Sequence, residues 1–193
     1  MSPPLSVGDA ERLHELRLRG FLPAPDNSDW AELVADGLVT VDRGRVRLTP
    51  EGHQVHAAWA LAAPGSDAAA AAEAAYADVV PLQQRLLKVC HDWQIGRGGI
   101  PNDHTDPAYD DRVVHRLRVV HSGAVSILTA LVPQVPRFAG YEPRFDHALA
   151  LLATGKREWF ASPACHSYHT VWMQFHEDLL LATGRSRADE ATP

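Results

Sequence analysis

Strand-like alternation of apolar and polar residues is confined to one short stretch of this chain. Residues 38–41 and 45–48 alternate in this way, and the Asp-Arg-Gly sequence between them is typical of a turn, so a β-hairpin is predicted. After residue 48, apolar residues recur at helical spacing instead, in segments that prolines open and glycines close. We therefore predict a mainly α chain with one small sheet.

The predicted helices cover residues 8–21, 29–36, 50–62, 67–93, 107–131, 143–155 and 163–184. Side chains suited to cap helix N-termini precede four of them: Ser28, Thr49, Ser66 and Asp106. Pro81 either kinks the fourth helix or starts a new one, and Gly123 is a candidate interruption of the fifth. Because a Pro-Gly-Ser linker pattern occupies residues 64–66, we predict two domains, residues 1–63 and a helical bundle over residues 64–193.

Length and composition narrow the class of protein. The chain has 193 residues, 46% of them apolar, which is enough to form a core. The formal charge of −6 does not favour nucleic acid as a default partner. Cys90 and Cys165 are expected to be free thiols, or at most one pair. With no signal-peptide pattern and no apolar run of about 20 residues, a soluble cytoplasmic protein without a membrane partner is predicted.

Residues 33–39 (LVADGLV), the arginine-bearing hairpin and residues 48–52 (LTPEG) resemble part of the winged-helix domain of MarR- and PadR-type regulators. In this resemblance they correspond to the end of the recognition helix, the wing and the helix that follows it. The resemblance implies a regulator-like protein with a reduced winged helix, because there is room for only one short helix between residue 21 and the wing.

The short helix before the hairpin bears on whether this domain binds DNA. It carries three acidic residues and no Lys or Arg: Asp29, Glu32 and Asp36. Acidic groups on a reading helix repel phosphates, whereas Arg43, Arg45 and Arg47 of the hairpin could follow a DNA backbone. Two interpretations stay open: a packing or dimerisation module, and a domain that binds DNA weakly and in a salt-dependent way through these arginines.

A second resemblance lies in the helical part. Residues 102–110 (NDHTDPAYD) and 167–172 (SYHTVW) are similar to an accessory helical region of bacterial pyruvate-phosphate-dikinase-like, phosphoenolpyruvate-utilising proteins, where it accompanies a winged-helix-like segment. The resemblance is to the accessory region, and the phosphate-transfer machinery of that family has no counterpart in this chain. It therefore implies no catalytic activity.

Residues 90–111 and 166–178 hold most of the chemically versatile side chains of the chain. Such groups are costly to bury unless they are paired, so we expect the two segments to meet each other, a ligand or both. The loop at residues 102–104 is predicted to face the last helix and to enclose a pocket of drug-like size. The predicted ligand-binding residues are Trp93, Asn102, Asp103, His104, Tyr109, Tyr168, His169, Trp172 and His176.

Not all of these side chains need a functional explanation. Tyr168, Trp172, Phe175 and Leu179 recur every three or four residues, which is most simply a buried stripe of the last helix. Their polar tips then need hydrogen-bond partners, and the Asp-rich loop is the expected source for Trp172. An acid that follows His176 is expected to form a structural ion pair with Arg112 or Arg116.

Three functions are compatible with these patterns. The first is a regulator-like protein whose helical domain binds a small molecule, and the second is an enzyme that uses the same pocket for acid–base chemistry. For the enzyme, the candidate bases are His104, His169 and His176, and the candidate orienting acids are Asp103 and Glu177. The third is a scaffold or partner-binding module. A homodimer is expected through the alanine-rich helix near residues 67–77.

Neither a metal site nor a cofactor is predicted. The chain has no HExxH sequence and no paired CxxC spacing, which are the common zinc-binding patterns. One arrangement could still coordinate zinc or iron. His166 and His169 are one helical turn apart, and Asp103 or Asp106 would have to supply a carboxylate.

Overall fold

The computed structural model describes residues 5–24, 28–96 and 98–190, and it is mainly α, as the sequence predicts. These residues form two compact units. The first contains the described residues within 1–62 and 180–193, and the second contains residues 63–179. The C-terminal residues from 180 onward therefore belong to the first unit. Within that unit, the backbone N–H of Ala62 donates to the carbonyl of Ala182 at 3.0 Å.

The first unit combines helices with a three-stranded antiparallel sheet in the order β1-β3-β2. Its elements are α1 (Val7–Arg19), β1 (Leu22–Pro23), a 3-10 turn (Ser28–Trp30), α2 (Ala31–Ala35), β2 (Val39–Asp42), β3 (Arg45–Leu48) and α3 (Pro50–Ala60). Strand β1, which the sequence pattern did not predict, pairs with β3 beside the predicted hairpin. Two residues are too few to show alternation, so the third strand left no sequence signal.

Local sequence determines where these elements begin and end. The Thr49 hydroxyl accepts the backbone N–H of Gly52 at 2.9 Å, which caps α3 as predicted. At the hairpin, Arg43 and Gly44 both have positive φ, 49° and 71°, which suits a two-residue turn between antiparallel strands. Helix α1 ends two residues before Phe21, because Gly20 adopts a left-handed conformation with φ 78°.

Two predictions for the first unit are wrong in detail. Residues 28–30 form a 3-10 turn, so Ser28 lies within that turn and does not immediately precede an α-helix. Helix α2 is correspondingly shorter than predicted and has no side-chain cap. Helix α3 ends at Ala60 rather than Ala62.

A close approach of α3 to the sheet fixes the geometry of the first unit. A Cβ atom on Gly52 would lie 1.9 Å from the carbonyl oxygen of Leu38, so only glycine fits there. The core beneath the sheet is aliphatic with one indole, and its buried members are Leu13, Leu16, Ala24, Trp30, Leu33, Leu38, Val39 and Val46.

Helices are the main elements of the described residues of the second unit, and an isolated β-bridge joins Ile95 and Pro101 in the loop after the first of them. Its elements are α4 (Asp67–Gln94), α5 (Pro107–Leu131), a 3-10 helix (Pro136–Gly140), α6 (Tyr141–Ala153), α7 (Glu158–Ala161) and α8 (Tyr168–Thr183). The last residues of α8, from Leu180 onward, and the short helix α9 (Arg187–Glu190) belong to the first unit. Ser66 and Asp106 cap α4 and α5 as predicted, each by accepting a backbone N–H. Among the described residues, every helix is too short or too polar to span a bilayer.

The sequence left open whether a new helix starts at Pro81 and whether Gly123 interrupts a helix. Helix α4 continues through Pro81, so no new helix starts there. Helix α5 continues through Gly123, which permits close packing instead of interrupting the helix. A Cβ atom at Gly123 would lie 2.7 Å from Cδ1 of Leu82 on α4.

Helix boundaries in the last third differ from the prediction. Helix α6 begins at Tyr141, so Pro143 lies in its first turn, and α8 begins at Tyr168 rather than at residue 163. Three short helices, at 136–140, 158–161 and 187–190, were not predicted, because four or five residues show no period. The predicted buried stripe of α8 is confirmed, since Tyr168, Trp172, Phe175 and Leu179 are all fully buried.

Candidate functional site

The loop between α4 and α5 is tied into a compact shape by its own backbone. The N–H of Gly96 donates to the carbonyl of Ile100 at 2.7 Å, and the N–H of Asn102 donates to the carbonyl of Gln94 at 2.8 Å. Gly98 and Gly99 adopt positive φ between these two bonds, which explains the glycines in this segment. The loop therefore presents residues 102–106 from a fixed base at the end of α4.

A buried carboxylate on the first turn of α5 organises this loop. Asp110 is 8% exposed, and its oxygens lie 2.9 Å from Nδ2 of Asn102 and 2.9 Å from Nδ1 of His104. The amide of Asn102 also donates to the carbonyl of Trp93 at 3.1 Å. Two N–H groups of the loop thus converge on one carboxylate, which satisfies a charge that would otherwise be costly to bury.

His104 is held in an unusual backbone conformation. Its φ is +61°, a left-handed value that costs a non-glycine residue about 1 kcal/mol or more. Its N–H donates to Oδ1 of Asn102 at 3.1 Å, and its carbonyl accepts from Nη2 of Arg157 at 3.1 Å. Such strain persists only where surrounding contacts maintain it, and it is more frequent at functional sites.

Aromatic rings fix the imidazole of His104 from the side. Its ring centroid lies 4.4 Å from that of Trp93. Trp93 also stacks on Phe160, with ring centroids 4.2 Å apart and an interplanar angle of 5°. The position of His104 therefore depends on both α4 and α7.

One nitrogen of His104 is left for other interactions. Because Nδ1 donates to Asp110, neutral His104 presents Nε2 as a hydrogen-bond acceptor. Nε2 makes no hydrogen bond to the described part of the chain. This nitrogen is not fully buried, so solvent reaches it. The His104 side chain is 20% exposed.

The other two carboxylates of the loop have local roles. Asp103 accepts from the N–H and the hydroxyl of Thr105, at 3.0 and 2.7 Å, and these hydrogen bonds lower the pKa of Asp103. Asp106 accepts the N–H of Tyr109 at 3.0 Å as the cap of α5. The acid that orients His104 is therefore Asp110, and not Asp103 as proposed for the enzyme.

Tyr109 marks the boundary between two surface depressions. A cleft of about 160 Å³ is lined by Gly96, Ile100, Pro101, Asn102, Asp103, Asp106 and Tyr109. A groove of about 490 Å³ is lined by Tyr109, Asp111, Arg112, His115 and Arg116. The cleft is smaller than drug-sized pockets, which hold about 300 Å³ or more, whereas the groove is within that range.

Support for Tyr109 comes from the end of α4. Its hydroxyl donates to the carbonyl of Asp92 at 2.7 Å. The carboxylate of Asp92 pairs with Arg116 at 2.6 Å. Burial alone would raise the pKa of Asp92, but the hydrogen bond and charge of Arg116, together with Lys88, hold it below its usual value.

The structure does not join the predicted residues of α8 to the loop. The indole N–H of Trp172 donates to the side-chain oxygen of Gln83 on α4, so the expected partner in the Asp-rich loop is wrong. Tyr168 is fully buried, and burial, followed by the charges of Asp146 and Cys90, raises the pKa of its hydroxyl. Tyr168 and Trp172 are therefore core residues.

The histidines of α8 also lie apart from the loop contacts. Burial lowers the pKa of His169, which is partly exposed, and His176 is 2% exposed. None of the hydrogen bonds or ring contacts of Asn102, Asp103 or His104 involves these two residues. The contacts that would close the predicted pocket between these loop residues and α8 are therefore not formed.

A separate buried network occupies the end of α8. Asp178 is fully buried, and its oxygens accept from Nε of Arg137 at 2.8 Å and from the hydroxyl of Tyr141 at 3.2 Å. Burial, and then the charge of Asp178, raise the pKa of Tyr141. The expected pairing of Asp178 with Arg112 or Arg116 is therefore wrong, and Arg116 binds Asp92 instead. Glu177, the other acid that follows His176, is partly exposed.

In the first unit, the three hairpin arginines are exposed. Side-chain exposure of Arg43 is 92%, and its Nε lies 4.0 Å from Asp42. The guanidinium carbons of Arg45 and Arg47 lie 4.7 and 5.5 Å from the centroid of the Phe21 ring. Phe21 was not predicted as a functional residue, because it was assigned to the apolar side of α1.

Sequence reasoning missed Asp110, Arg157 and Phe160 as parts of the site. Asp110 is six residues after His104, and the path of the loop brings the two side chains together. Arg157 and Phe160 are about fifty residues farther along the chain and carry no local signal.

Metal and thiol chemistry have little support in the described residues. Within them, no three His, Cys, Asp or Glu side chains are grouped as a metal site would require. Cys90 and Cys165 are both free thiols. Burial raises the pKa of Cys90 to about 12 and also raises the pKa of Cys165, so neither thiol is activated.

Comparisons of the chain with models of protein families, with curated protein sequences and with solved structures found no match.

Proposed function

We propose that the second unit binds a small polar molecule at the α4–α5 loop, with His104 as the main hydrogen-bonding residue, and that the protein is regulator-like. The observation that carries this proposal is the geometry of His104. Its strained backbone, its carboxylate partner and its aromatic contact together fix an imidazole whose remaining nitrogen is reached by solvent. Non-glycine residues in such a conformation are more frequent at functional sites.

His104 is not among the described residues that line the two depressions beside Tyr109, so a ligand held by Nε2 of His104 would have to extend along the loop to reach them. The cleft presents the polar side chains of Asn102, Asp103 and Asp106, and the groove presents Arg112 and Arg116. A molecule that spans Tyr109 would contact both. The cleft alone is smaller than a drug-sized pocket, so a small polar group fits it best.

The direct test is a screen of small polar metabolites against the whole chain by thermal shift. At least one compound should raise the melting temperature of the wild type and of His91→Gln, which alters an exposed histidine of α4. The same compound should give no shift with His104→Gln. Equal shifts in both variants, or no shift with any compound, would contradict the proposal.

An acid–base enzyme is the second candidate, and the Asp110–His104 pair is the observation that favours it. A carboxylate on Nδ1 fixes the tautomer in which Nε2 is a general base. The compound found by the screen separates the two functions. Its NMR spectrum should remain unchanged on long incubation if the unit only binds it, and should show a product if the unit is an enzyme.

A regulator-like protein of this kind would have two further partners, DNA and a second copy of the chain. Its first unit would contact DNA weakly through Arg43, Arg45 and Arg47, which are exposed on the hairpin. A homodimer would form through the alanine-rich turns at the start of α4, where small side chains allow close approach. Light scattering at high concentration should give twice the monomer mass of 21.1 kDa, and a monomer mass would refute the dimer.

A further inference from the structure

The exposed face of the small sheet carries more than the three hairpin arginines. Val46 is fully buried, so its neighbours Arg45 and Arg47 on β3 point to the opposite, exposed face. The guanidinium groups of Arg45 and Arg47 lie over the ring of Phe21, just before β1, and Phe21 is 40% exposed. The face therefore combines an aromatic ring with two cations.

Charge on this face is mainly positive. Among the described residues, neither Arg45 nor Arg47 forms an ion pair. The acid on the face is Asp42, the cross-strand partner of Arg45, and its carboxylate lies toward Arg43 at the hairpin turn. Thr40, opposite Arg47, is neutral. Three arginines and one acid leave an excess of positive charge, which complements a phosphate backbone.

From this geometry we infer that the sheet face of Phe21, Arg45 and Arg47, extended by Arg43, is a binding surface for single-stranded nucleic acid. A guanidinium group over an aromatic ring forms a planar stack that an unpaired base can extend, and the same arginines can contact phosphates. Bases in a duplex are already stacked on each other and do not offer their faces to a side chain.

The neighbouring acidic segment favours a single strand over a duplex. The carboxylates of Asp29, Glu32 and Asp36 lie on or beside the 3-10 turn and α2, the segment that would have to enter a major groove. They would repel the phosphates of a duplex, which is wide and rigid. A single strand does not need a helix in a major groove, so its binding to the sheet face does not depend on this acidic segment. The inference sharpens the proposed DNA contact and is independent of the small-molecule site.

The test measures fluorescence anisotropy of a labelled oligothymidine and of a duplex of equal length with the full chain at low salt. The single strand should bind more tightly than the duplex. Phe21→Ala should weaken single-strand binding on the order of 10- to 100-fold, as expected for the loss of one stacked base. Val34→Ala, which alters a similarly exposed apolar residue of α2, should leave it unchanged. Phe21→Leu keeps the apolar bulk, and it should weaken binding as Phe21→Ala does if the ring face matters.

Salt dependence supplies an independent readout. Arg45→Gln should weaken binding of either nucleic acid and reduce the slope of log affinity against log salt by about 0.7 for the single strand. Arg19→Gln, at an arginine that pairs with Glu15, is the matched control and should leave the slope unchanged. Tighter binding of the duplex, or unchanged single-strand binding by Phe21→Ala, overturns the inference while leaving the DNA contact in place. If neither nucleic acid binds, both are overturned.

Discussion

Nδ1 of His104 lies 2.9 Å from Oδ2 of Asp110, and this contact connects the α4–α5 loop to the first turn of α5. The carboxylate is buried, and it also accepts from Asn102. One acidic side chain thus holds two loop residues in position. The strained backbone of His104 is stable because these bonds maintain it.

Replacement of Asp110 by alanine should lower the free energy of unfolding by about 1–3 kcal/mol. The reason is that the N–H groups of Asn102 and His104 lose their buried acceptor. Asp111→Ala, at the adjacent exposed position, is the control and should change stability by less than about 0.5 kcal/mol. Urea denaturation followed by circular dichroism measures both. Equal stability of the two variants would show that Asp110 does not organise the loop.

The extent to which this site was predictable depends on how local each contact is. Asp106 as a cap of α5 follows from its position just before a proline, and the buried stripe of α8 follows from its spacing. The Asp110–His104 contact depends on the path of a loop whose glycines adopt left-handed φ, and no local pattern encodes that path. The partner of Trp172 was mispredicted for a related reason. Gln83 lies 89 residues away on α4 and carries no signal that distinguishes it from other polar residues.

The Gly52 position offers a sharp test of the first unit. Gly52→Ala should lower the free energy of unfolding by about 1–3 kcal/mol or more, because the added Cβ would overlap the carbonyl oxygen of Leu38, which is backbone and cannot move aside. Gly8→Ala, in α1, is the matched control, since nothing lies within 4 Å of the added atom. That variant should be neutral or slightly stabilising because alanine favours helices. Similar melting temperatures for the two variants would refute the close approach.

The two cysteines should differ in reactivity in the folded protein. Cys165 is partly exposed, whereas Cys90 is buried and has its pKa raised to about 12. A disulfide reagent at pH 8 should therefore modify Cys165 first, and slowly, since burial also raises the pKa of that thiol. Cys90 should react only after denaturant is added. Mass spectrometry of the modified peptides identifies the site, and early labelling of Cys90 would contradict its burial.

The buried Asp178 is expected to be essential to the stability of its network. Asp178→Ala removes the partner of Arg137 and of the Tyr141 hydroxyl, and it leaves a guanidinium group whose side chain is only 20% exposed. Removal of one member of a buried pair typically costs about 3–5 kcal/mol. Asp146→Ala, which alters a carboxylate that is 60% exposed, should cost much less. The comparison is made by urea denaturation, and equal costs would argue against a buried ion pair.

Acid should destabilise the protein through His169 at pH values at which most carboxylates are still ionised. Burial lowers the pKa of His169 below 6.5 in the folded state, whereas the unfolded chain has the ordinary value. Between about pH 7 and 5 the unfolded state therefore binds more protons, and the free energy of unfolding falls as the pH falls. Above pH 7 both states are neutral at this residue, so His169 contributes nothing there. His53 acts in the same direction, because burial and the charge of Arg17 lower its pKa.

The contribution of His169 is measured by difference. His169→Gln cannot titrate, so its free energy of unfolding should fall less steeply than that of the wild type between pH 7 and 5. His91→Gln, at an exposed position, should follow the wild-type profile. Asp92, Asp103 and Asp189, the described carboxylates whose pKa is lowered, lose their contribution only near or below pH 3.8, outside this range. Parallel profiles for His169→Gln and the wild type would show that His169 is not buried in its neutral form, and a wild type that gains stability toward pH 5 would reverse the predicted sign.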